Sequence, residues 1–415
     1  MNIVVIGSSA ASKSAVETLL KEKETDINIT VVSKDNKLFY SRVLLPNYIA
    51  GEIDEEGLLF VDKSFFEDER LKIIKGNVKT IDGLNKRIFV EDYGYITYDK
   101  LIIATGARPV MPYEYDVEEI CCLRDLEDAV KIKKLAQKAQ DCIVLGGGLV
   151  SLKAACALND IGKKVTVLVE SNRVLSRTVD LYCSLMVTNI LREHGINIIL
   201  ESKIKGLSTE KGKLKGVVLD DDSLYPCDLV IVGKGVKPNI ELVRDSGIKV
   251  DRGIIVDDNM VTSMKDVYAA GDVTQSHSLL DGGCELFTLW PDAMEQGKIA
   301  AYHILGIPRK YLGGISMNSV VFYGVPFISI GKITENVLPN CSVYINKNDE
   351  KKVYRKIVVK DNRIFGAVFA GDVSYAGMVY WDIKSGRKVE IPQKYLTREG
   401  LEELYLIRNK QLWTF

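Results

Sequence analysis

Strand-like apolar runs alternate with helical segments along the first 235 residues of the chain. The runs are continuously apolar, which is typical of strands that are buried on both faces of a parallel sheet. They read NIVVIG (2–7), INITVVS (27–33), KLIIATG (100–106), DCIVLGGG (141–148), KKVTVLVE (163–170), INIIL (196–200) and DLVIVGKG (228–235). The alternation predicts an α/β fold with helices on both faces of parallel sheets.

The pattern occurs twice, and each time a small-residue turn follows the first strand. The dinucleotide fingerprint G-x-G-x-x-G would have three glycines there. The first turn has Gly7 and then Ser9 and Ser12 at the other two positions, whereas the second has Gly146, Gly148 and Ser151. We interpret both as nucleotide units, although the first turn alone fits a plain strand-to-helix turn with a serine N-cap equally well.

An acidic residue lies just beyond the second strand of each unit. Asp35 follows ITVVSK, and Glu170 ends VTVLVE. A carboxylate at this point accepts hydrogen bonds from ribose hydroxyls, while the preceding helix N-terminus faces the pyrophosphate. Both could be ordinary solvated carboxylates, but their recurrence in register favours the ribose role. Glu170 then predicts NADH over NADPH, since Arg173 is offset from the strand end.

Composition limits the classes of partner. A length of 415 residues predicts two or three domains, and 47% hydrophobic with 27% charged residues is typical of a globular protein. The net charge of -1 supplies no field for nucleic acid or an anionic membrane surface. The chain enters its first strand without a basic leader and has no apolar run long enough to span a bilayer, so we expect a cytoplasmic protein without nucleic-acid or membrane partners.

The eight cysteines form no C-x-x-C pair, which indicates reduced and mostly buried thiols. Cys121 and Cys122 are neighbours in a predicted strand and would point to opposite faces. With three histidines and no cluster of ligands, no metal site is predicted.

Three further segments, in order, resemble the FAD-dependent pyridine nucleotide-disulfide oxidoreductase superfamily. They are LIIATGARP (101–109), VIVGKGVKPN (230–239) and VYAAGDVT (267–274). The resemblance implies FAD and NADH as cofactors, in two Rossmann-like domains with a small α+β interface domain at the C-terminus. The implied boundaries are 1–110 with 233–310 for the FAD domain, 111–232 for the NAD domain and 311–415 for the C-terminal domain.

The resemblance also implies which residues contact each cofactor. Asp272 would bond the ribityl chain, and Trp290 would lie near the isoalloxazine, be a core tryptophan, or both. The implied FAD residues are Gly7, Ser9, Ala10, Ala11, Asp35, Arg42, Pro46, Val78, Ala104, Thr105, Gly106, Asp272 and Trp290. The implied NAD residues are Gly146, Gly148, Leu149, Val150, Glu170 and Gly235.

A cysteine is missing where thiol-using branches of the superfamily carry one. In FYSRVLLPNYIAG (39–51), alignment of Leu45-Pro46 with the Leu-Pro of those branches puts Val43 at the cysteine position. Thiol-based disulfide or peroxide chemistry is therefore disfavoured. The stretch is more similar to rubredoxin reductases and to FAD/NAD subunits of larger complexes, in which NADH reduces the flavin and an external iron centre takes single electrons.

The resemblance suggests two flavin-side cations, Arg42 and Lys153, although a surface salt-bridge arginine and a solvated lysine are the alternatives. The leading hypothesis is an NADH-dependent flavoprotein that serves an electron carrier or an iron-sulfur or metalloenzyme partner subunit, as a homodimer or in a hetero-complex. An NADH oxidase that reduces dioxygen, and a structural FAD subunit that does not turn over, stay open. Candidate docking segments are the Lys-rich 346–356 and the acidic 54–57, or both are ordinary solvated loops.

Overall fold

The computed structural model of the chain describes residues 1–22, 26–111, 117–333 and 340–412, with side chains up to residue 406. The chain divides into two compact units. The first consists of Met1–Val110, Arg124–Leu126 and Gly235–Gly314, and the second of Met111–Leu123, Glu127–Lys234 and Ile315–Phe415.

A five-stranded parallel sheet forms the centre of the first unit. Its strands are β1 (Asn2–Ile6), β2 (Asn28–Ser33), β3 (Leu71–Lys75), β7 (Lys100–Ile103) and β19 (Val267–Ala269), in the order β19-β7-β1-β2-β3. Helices α1 (Ala10–Lys21) and α6 (Trp290–Ile304) pack against each other beside it. The first unit is therefore built as the continuous apolar runs predict.

Smaller elements complete the first unit. An antiparallel sheet contains β4 (Val78–Asp82), β5 (Arg87–Val90) and β6 (Gly94–Thr97), and a second contains β18 (Ile254–Ile255), β20 (Thr274–His277) and β21 (Cys284–Glu285), with one parallel pair. Strands β8 (Ala107–Pro109) and β17 (Val236–Pro238) pair with each other, and α2 (Leu45–Ala50) is a short helix that ends at Gly51.

A second parallel sheet repeats the arrangement in the second unit. Its strands are β9 (Ile120–Cys122), β10 (Asp141–Leu145), β11 (Lys164–Leu168), β12 (Asn197–Ile199) and β16 (Leu229–Val232), in the order β12-β11-β10-β16-β9. The other elements are α3 (Leu126–Ala136), α4 (Leu149–Asp160), α5 (Leu181–Glu193) and an antiparallel sheet of β13 (Ile204–Glu210), β14 (Lys213–Leu219) and β15 (Leu224–Pro226).

The C-terminal part of the second unit is an antiparallel sheet followed by helices. The strands are β22 (Met317–Phe322), β23 (Val325–Gly331), β24 (Ser342–Asn348), β25 (Val353–Lys360) and β26 (Arg363–Ala370), and the helices are α7 (Ala376–Lys384) and α8 (Arg398–Leu412). Asp361 and Asn362, both with positive φ, form the two-residue turn between β25 and β26 that the sequence predicts.

The predicted fold class is confirmed: two parallel α/β sheets are followed by a small α+β part. The domain boundaries stay predictions, and the residues 23–25, 112–116, 334–339 and 413–415 within these domains lie outside the described part of the chain. Across the described residues, no helix is both long enough and apolar enough to cross a membrane.

Candidate functional site

The turn between β1 and α1 lies against the end of β7. Gly7 has a φ of +111°, and a Cβ there would lie 2.2 Å from the carbonyl oxygen of Ala104, so only glycine fits. The buried Ser12 hydroxyl donates a hydrogen bond to the Gly7 carbonyl oxygen at 2.5 Å. The serine at the third fingerprint position therefore holds this turn closed with its own hydroxyl.

Helix α1 begins with small residues, and the side chain of its N-cap residue caps none of its amides. Ser9 has an extended backbone, and its hydroxyl makes no capping hydrogen bond. Ala10 and Ala11 are buried in a cluster with Ala104, Ala270 and Ala293. The first-turn amides of α1 are consequently not satisfied by the N-cap side chain, which suits them to a phosphate.

Two arginines and two aspartates form a charge network in the first unit. Arg42 contacts Asp35 at 3.0 Å, and Arg124 contacts Asp272 at 2.7 Å. The Arg42 guanidinium also donates to the main-chain oxygen of Arg124 at 3.3 Å, which joins the two pairs. All four side chains are 16–23% exposed, so the network keeps contact with solvent while its geometry is held.

The aromatic ring of Tyr40 supports this network. The guanidinium carbon of Arg42 lies 5.5 Å from the ring centroid, and the Tyr40 hydroxyl accepts a hydrogen bond from the Leu126 amide at 3.1 Å. Burial raises the pKa of Tyr40 to about 12, so the hydroxyl stays neutral at physiological pH.

Arg124 was not among the residues predicted from the sequence. Its partner Asp272 is 148 positions away, so no local spacing reveals the pair. The available signal was its place between strand β9 and helix α3. Gln296 is also absent from the predicted residues, because its partners are distant in the sequence. Its fully buried amide oxygen accepts hydrogen bonds from the Gly271 amide and the Thr274 hydroxyl, both at 2.8 Å. Gln296 therefore fixes the turn that carries Asp272.

The other predicted FAD residues all lie in the first unit. Thr105 and Asn239 exchange hydrogen bonds across the paired strands β8 and β17, next to Gly106. Pro46 is buried in α2, and Val78 is half-buried at the start of β4. Trp290 begins α6 and packs edge-on against Phe60 with ring centroids 4.8 Å apart.

Asp35 and Glu170 each lie two residues beyond the end of their strand, at Ser33 and Leu168, but they differ by one residue in register with the first strand of each unit. Ile6, just before Gly7, pairs with Val32, and Leu145, just before Gly146, pairs with Leu168. Glu170 is thus two residues beyond its paired position and Asp35 three beyond, so the exposed Lys34 occupies the place of Glu170.

The second glycine turn has the geometry of the first. Gly146 also has a φ of +111°, and a Cβ there would lie 2.4 Å from the carbonyl oxygen of Gly233. The buried Ser151 hydroxyl donates to that oxygen at 3.2 Å. Gly148 is the N-cap of α4 and has open space around its Cβ position. Leu149 is half-buried and Val150 is 54% exposed in the first turn of α4.

Glu170 is paired with a lysine that the sequence reasoning did not weigh. The carboxylate of Glu170 lies 2.7 Å from the ammonium group of Lys234. Arg173 turns away and donates to the Ser176 carbonyl oxygen at 2.9 Å, which agrees with its predicted offset. Gly235, a predicted NAD residue, falls in the first unit, where its carbonyl oxygen accepts from the Val110 amide.

Lys153 and Val43, the remaining residues singled out from the sequence, lie in different units. The Lys153 ammonium lies 3.5 Å from the Val321 carbonyl oxygen of strand β22, within the second unit. Val43 lies in a one-turn 3-10 helix, Arg42–Leu44, and is 64% exposed. No thiol can act at this position.

The predicted Lys-rich docking segment 346–356 is only partly exposed to solvent. Arg355 and Lys356 are 3% and 4% exposed, because they pair with Asp372 and Asp180 inside the second unit. Lys347, Lys351 and Lys352 are exposed, as are the acidic residues 54–56.

No disulfide forms among the eight cysteines, all of which the structure describes. Five are buried, Cys122 and Cys341 are half-buried, and Cys284 is exposed. Burial raises the pKa of Cys121 and Cys156 to about 11. Residues 1–22, 26–111, 117–333 and 340–412 contain no group of three or more His, Cys, Asp or Glu side chains that could hold a metal ion.

Two parallel sheets with glycine turns of this kind are typical of dinucleotide-binding proteins. Residues 1–297 match the pyridine nucleotide-disulphide oxidoreductase family, and residues 317–387 match the rubredoxin NAD+ reductase C-terminal domain. The chain belongs to this family, and the predicted resemblance is confirmed.

Among curated proteins, the chain is 28% identical to the assimilatory nitrate reductase electron transfer subunit of Bacillus subtilis, over 95% of the chain and 50% of that protein. It is 29% identical to the NADH-dependent phenylglyoxylate dehydrogenase subunit epsilon of Aromatoleum evansii, over 90% of the chain and 87% of that protein. The chain thus spans about half the length of the Bacillus relative.

Among solved structures, the NADH:rubredoxin oxidoreductase of Clostridium acetobutylicum is 27% identical and superposes with a TM-score of 0.77. The match covers 97% of this chain and 99% of that one.

The residues of the first unit fit FAD. The family uses FAD together with NADH. The first-turn amides of α1 and the guanidinium groups of Arg42 and Arg124 are suitable donors for a pyrophosphate. The small residues around Gly7 leave the backbone accessible, and the two aspartates can accept hydroxyl hydrogen bonds.

Proposed function

We propose that the chain is an FAD-dependent NADH oxidoreductase that passes electrons to a one-electron protein acceptor or an iron-sulfur partner subunit. The observation that carries the proposal is the 64% exposed Val43, where a thiol-using enzyme of this superfamily would need a cysteine. Without a thiol at that position, electrons have to leave for an acceptor outside the chain.

FAD binds to the residues predicted for it, in a domain made of 1–110 and 233–310. The first-turn amides of α1 and Arg124 would hold the pyrophosphate, and Asp272 would accept a hydrogen bond from a hydroxyl of the ribityl chain. NADH binds at the second glycine turn, where Gly148 leaves open space at the N-terminus of α4. The domain of residues 111–232 supplies this turn.

When bound, FAD accepts a hydride from NADH and releases its electrons singly. The chain contributes placement and charge. Arg42 is held by Asp35 at 3.0 Å and by the Tyr40 ring, and its permanent positive charge favours an anion beside it. Lys153 is the second proposed cation.

The acceptor is a rubredoxin-type or ferredoxin-type protein, or a metalloenzyme subunit. The match to the rubredoxin NAD+ reductase C-terminal domain and the names of the relatives support this class. The net charge of -1 means that steering must come from a local patch. The two exposed candidates are the basic group Lys347, Lys351 and Lys352 and the acidic group at 54–56.

Anaerobic stopped-flow spectroscopy tests the proposal. The protein is reduced with NADH and mixed with rubredoxin or ferredoxin at several salt concentrations. Fast carrier reduction that slows with salt supports it. The paired variants Lys351→Gln/Lys352→Gln and Asp54→Asn/Glu56→Gln remove the charge of one patch with little change in side-chain size, and the patch that docks the carrier is the one whose loss lowers the rate.

Two results would replace the proposal. If neither carrier accepts electrons while dioxygen does so efficiently, the protein is an NADH oxidase. If NADH leaves the flavin oxidised without air, the chain is a structural FAD subunit. The cytoplasmic location stays a prediction, and so does a homodimer or hetero-complex.

A further inference from the structure

An ion pair crosses the second glycine turn. Strands β11, β10 and β16 are neighbours in the parallel sheet, so their carboxyl ends lie at one edge. Glu170 comes two residues after β11, and Lys234 comes two residues after β16. Because β10 lies between them, their 2.7 Å contact has to pass over the turn Gly146–Gly148 that ends β10.

The lysine side of this pair is fixed and the glutamate side is open. The Lys234 side chain is 17% exposed, whereas Glu170 is 53% exposed. The preceding residue, Gly233, is held by the Ser151 hydroxyl and lies against Gly146. Lys234 therefore presents its ammonium group over the turn from an anchored position.

We propose that Lys234 is a coenzyme-contacting, specificity-determining residue. This rests on the proposed function, in which NADH binds at this turn. When NADH enters, Glu170 exchanges the ammonium group for the ribose hydroxyls. When NADPH enters, Lys234 exchanges the carboxylate for oxygens of the 2'-phosphate.

The consequence concerns the choice between the two nicotinamide coenzymes. Glu170 alone repels the 2'-phosphate of NADPH, but the neighbouring ammonium group offsets that charge. The site therefore tolerates NADPH better than a lone glutamate would allow. Removal of the Lys234 charge should weaken a 2'-phosphorylated coenzyme by roughly tenfold, because a charge contact in a partly exposed site changes binding by about that factor.

Calorimetric titration of the FAD-loaded protein with NAD+ and with NADP+ tests the inference, since the oxidised coenzymes bind without reducing the flavin. Lys234→Met keeps a long unbranched side chain and removes the charge. We expect it to weaken NADP+ about tenfold and NAD+ less than threefold. Glu170→Gln should strengthen NADP+, because it removes the repulsion and releases the lysine.

Two controls separate charge from structure. Lys234→Arg keeps the charge and should retain NADP+ binding, and Lys237→Met removes an exposed charge three residues along and should change neither affinity. Equal weakening of both coenzymes in Lys234→Met, or no change in either, overturns the inference while the wild type still binds NAD+. If the wild type binds neither coenzyme, the proposed function fails as well.

Discussion

Substitution of Gly7 by alanine tests how the first glycine turn is built. The new Cβ would lie 2.2 Å from the Ala104 carbonyl oxygen and 2.9 Å from its carbonyl carbon, and both are backbone atoms that no side-chain rotation can move away. A φ of +111° is also strained for alanine. Backbone strain at positive φ costs roughly 1–2 kcal/mol and overpacking roughly 1–3 kcal/mol, so we expect the free energy of unfolding to fall by about 2–5 kcal/mol.

Gly51→Ala is the matched control. Gly51 ends α2 with a φ of +78° but has no atom within 4 Å of its Cβ position. This variant carries the backbone strain without the collision and should cost about 1 kcal/mol. The difference between the two variants therefore measures the close approach of Gly7 to Ala104.

Thermal unfolding followed by circular dichroism, with and without added FAD, provides the measurement. For a unit of 150–250 residues each kcal/mol shifts Tm by roughly 2–4 °C, so the Tm should fall by about 4–20 °C in Gly7→Ala and by about 2–4 °C in Gly51→Ala. The flavin absorbance of purified Gly7→Ala should fall too, because the turn shifts. Equal Tm values for the two variants would refute the reasoning about the close approach.

Two further predictions concern titratable groups. Five thiols are buried: Cys121, Cys142, Cys156, Cys183 and Cys227. Burial raises the pKa of Cys142 and Cys227 to about 12 and also raises the pKa of the other three. These five thiols should therefore not react with a disulfide reagent at pH 8 in the native protein, and they should react only after unfolding. Exposed Cys284 should react at once, and fast reaction of four or more thiols in the native protein would contradict this. Lys100 and Lys86 lower the pKa of Asp266 to about 2, below its unfolded value near 3.9, so their stabilisation is present above about pH 4 and lost as the pH falls towards 2. Asp266→Asn should lower Tm at pH 7, with a deficit that shrinks between pH 4 and pH 3; a deficit that is constant with pH would exclude the charge pair as its cause.

Sequence patterns predict the parallel sheets because their strands are buried on both faces, and a continuous apolar run indicates such a strand. They also locate both glycine turns, since positive φ restricts residue type. They fail where a contact joins distant positions: Arg124 with Asp272, and Glu170 with Lys234.

The edge strand β19 of the first parallel sheet pairs with β7, although it lies far along the chain. During synthesis, the ribosome has to finish most of the second nucleotide unit before β19 emerges. At roughly 5–20 residues per second, synthesis of the residues between β7 and β19 takes on the order of ten seconds or more. During that time the apolar edge of β7 has no partner strand. The nascent chain thus has an interval in which an unpaired strand is open to chaperones or to a neighbouring chain, and folding of the first unit is ordered by translation.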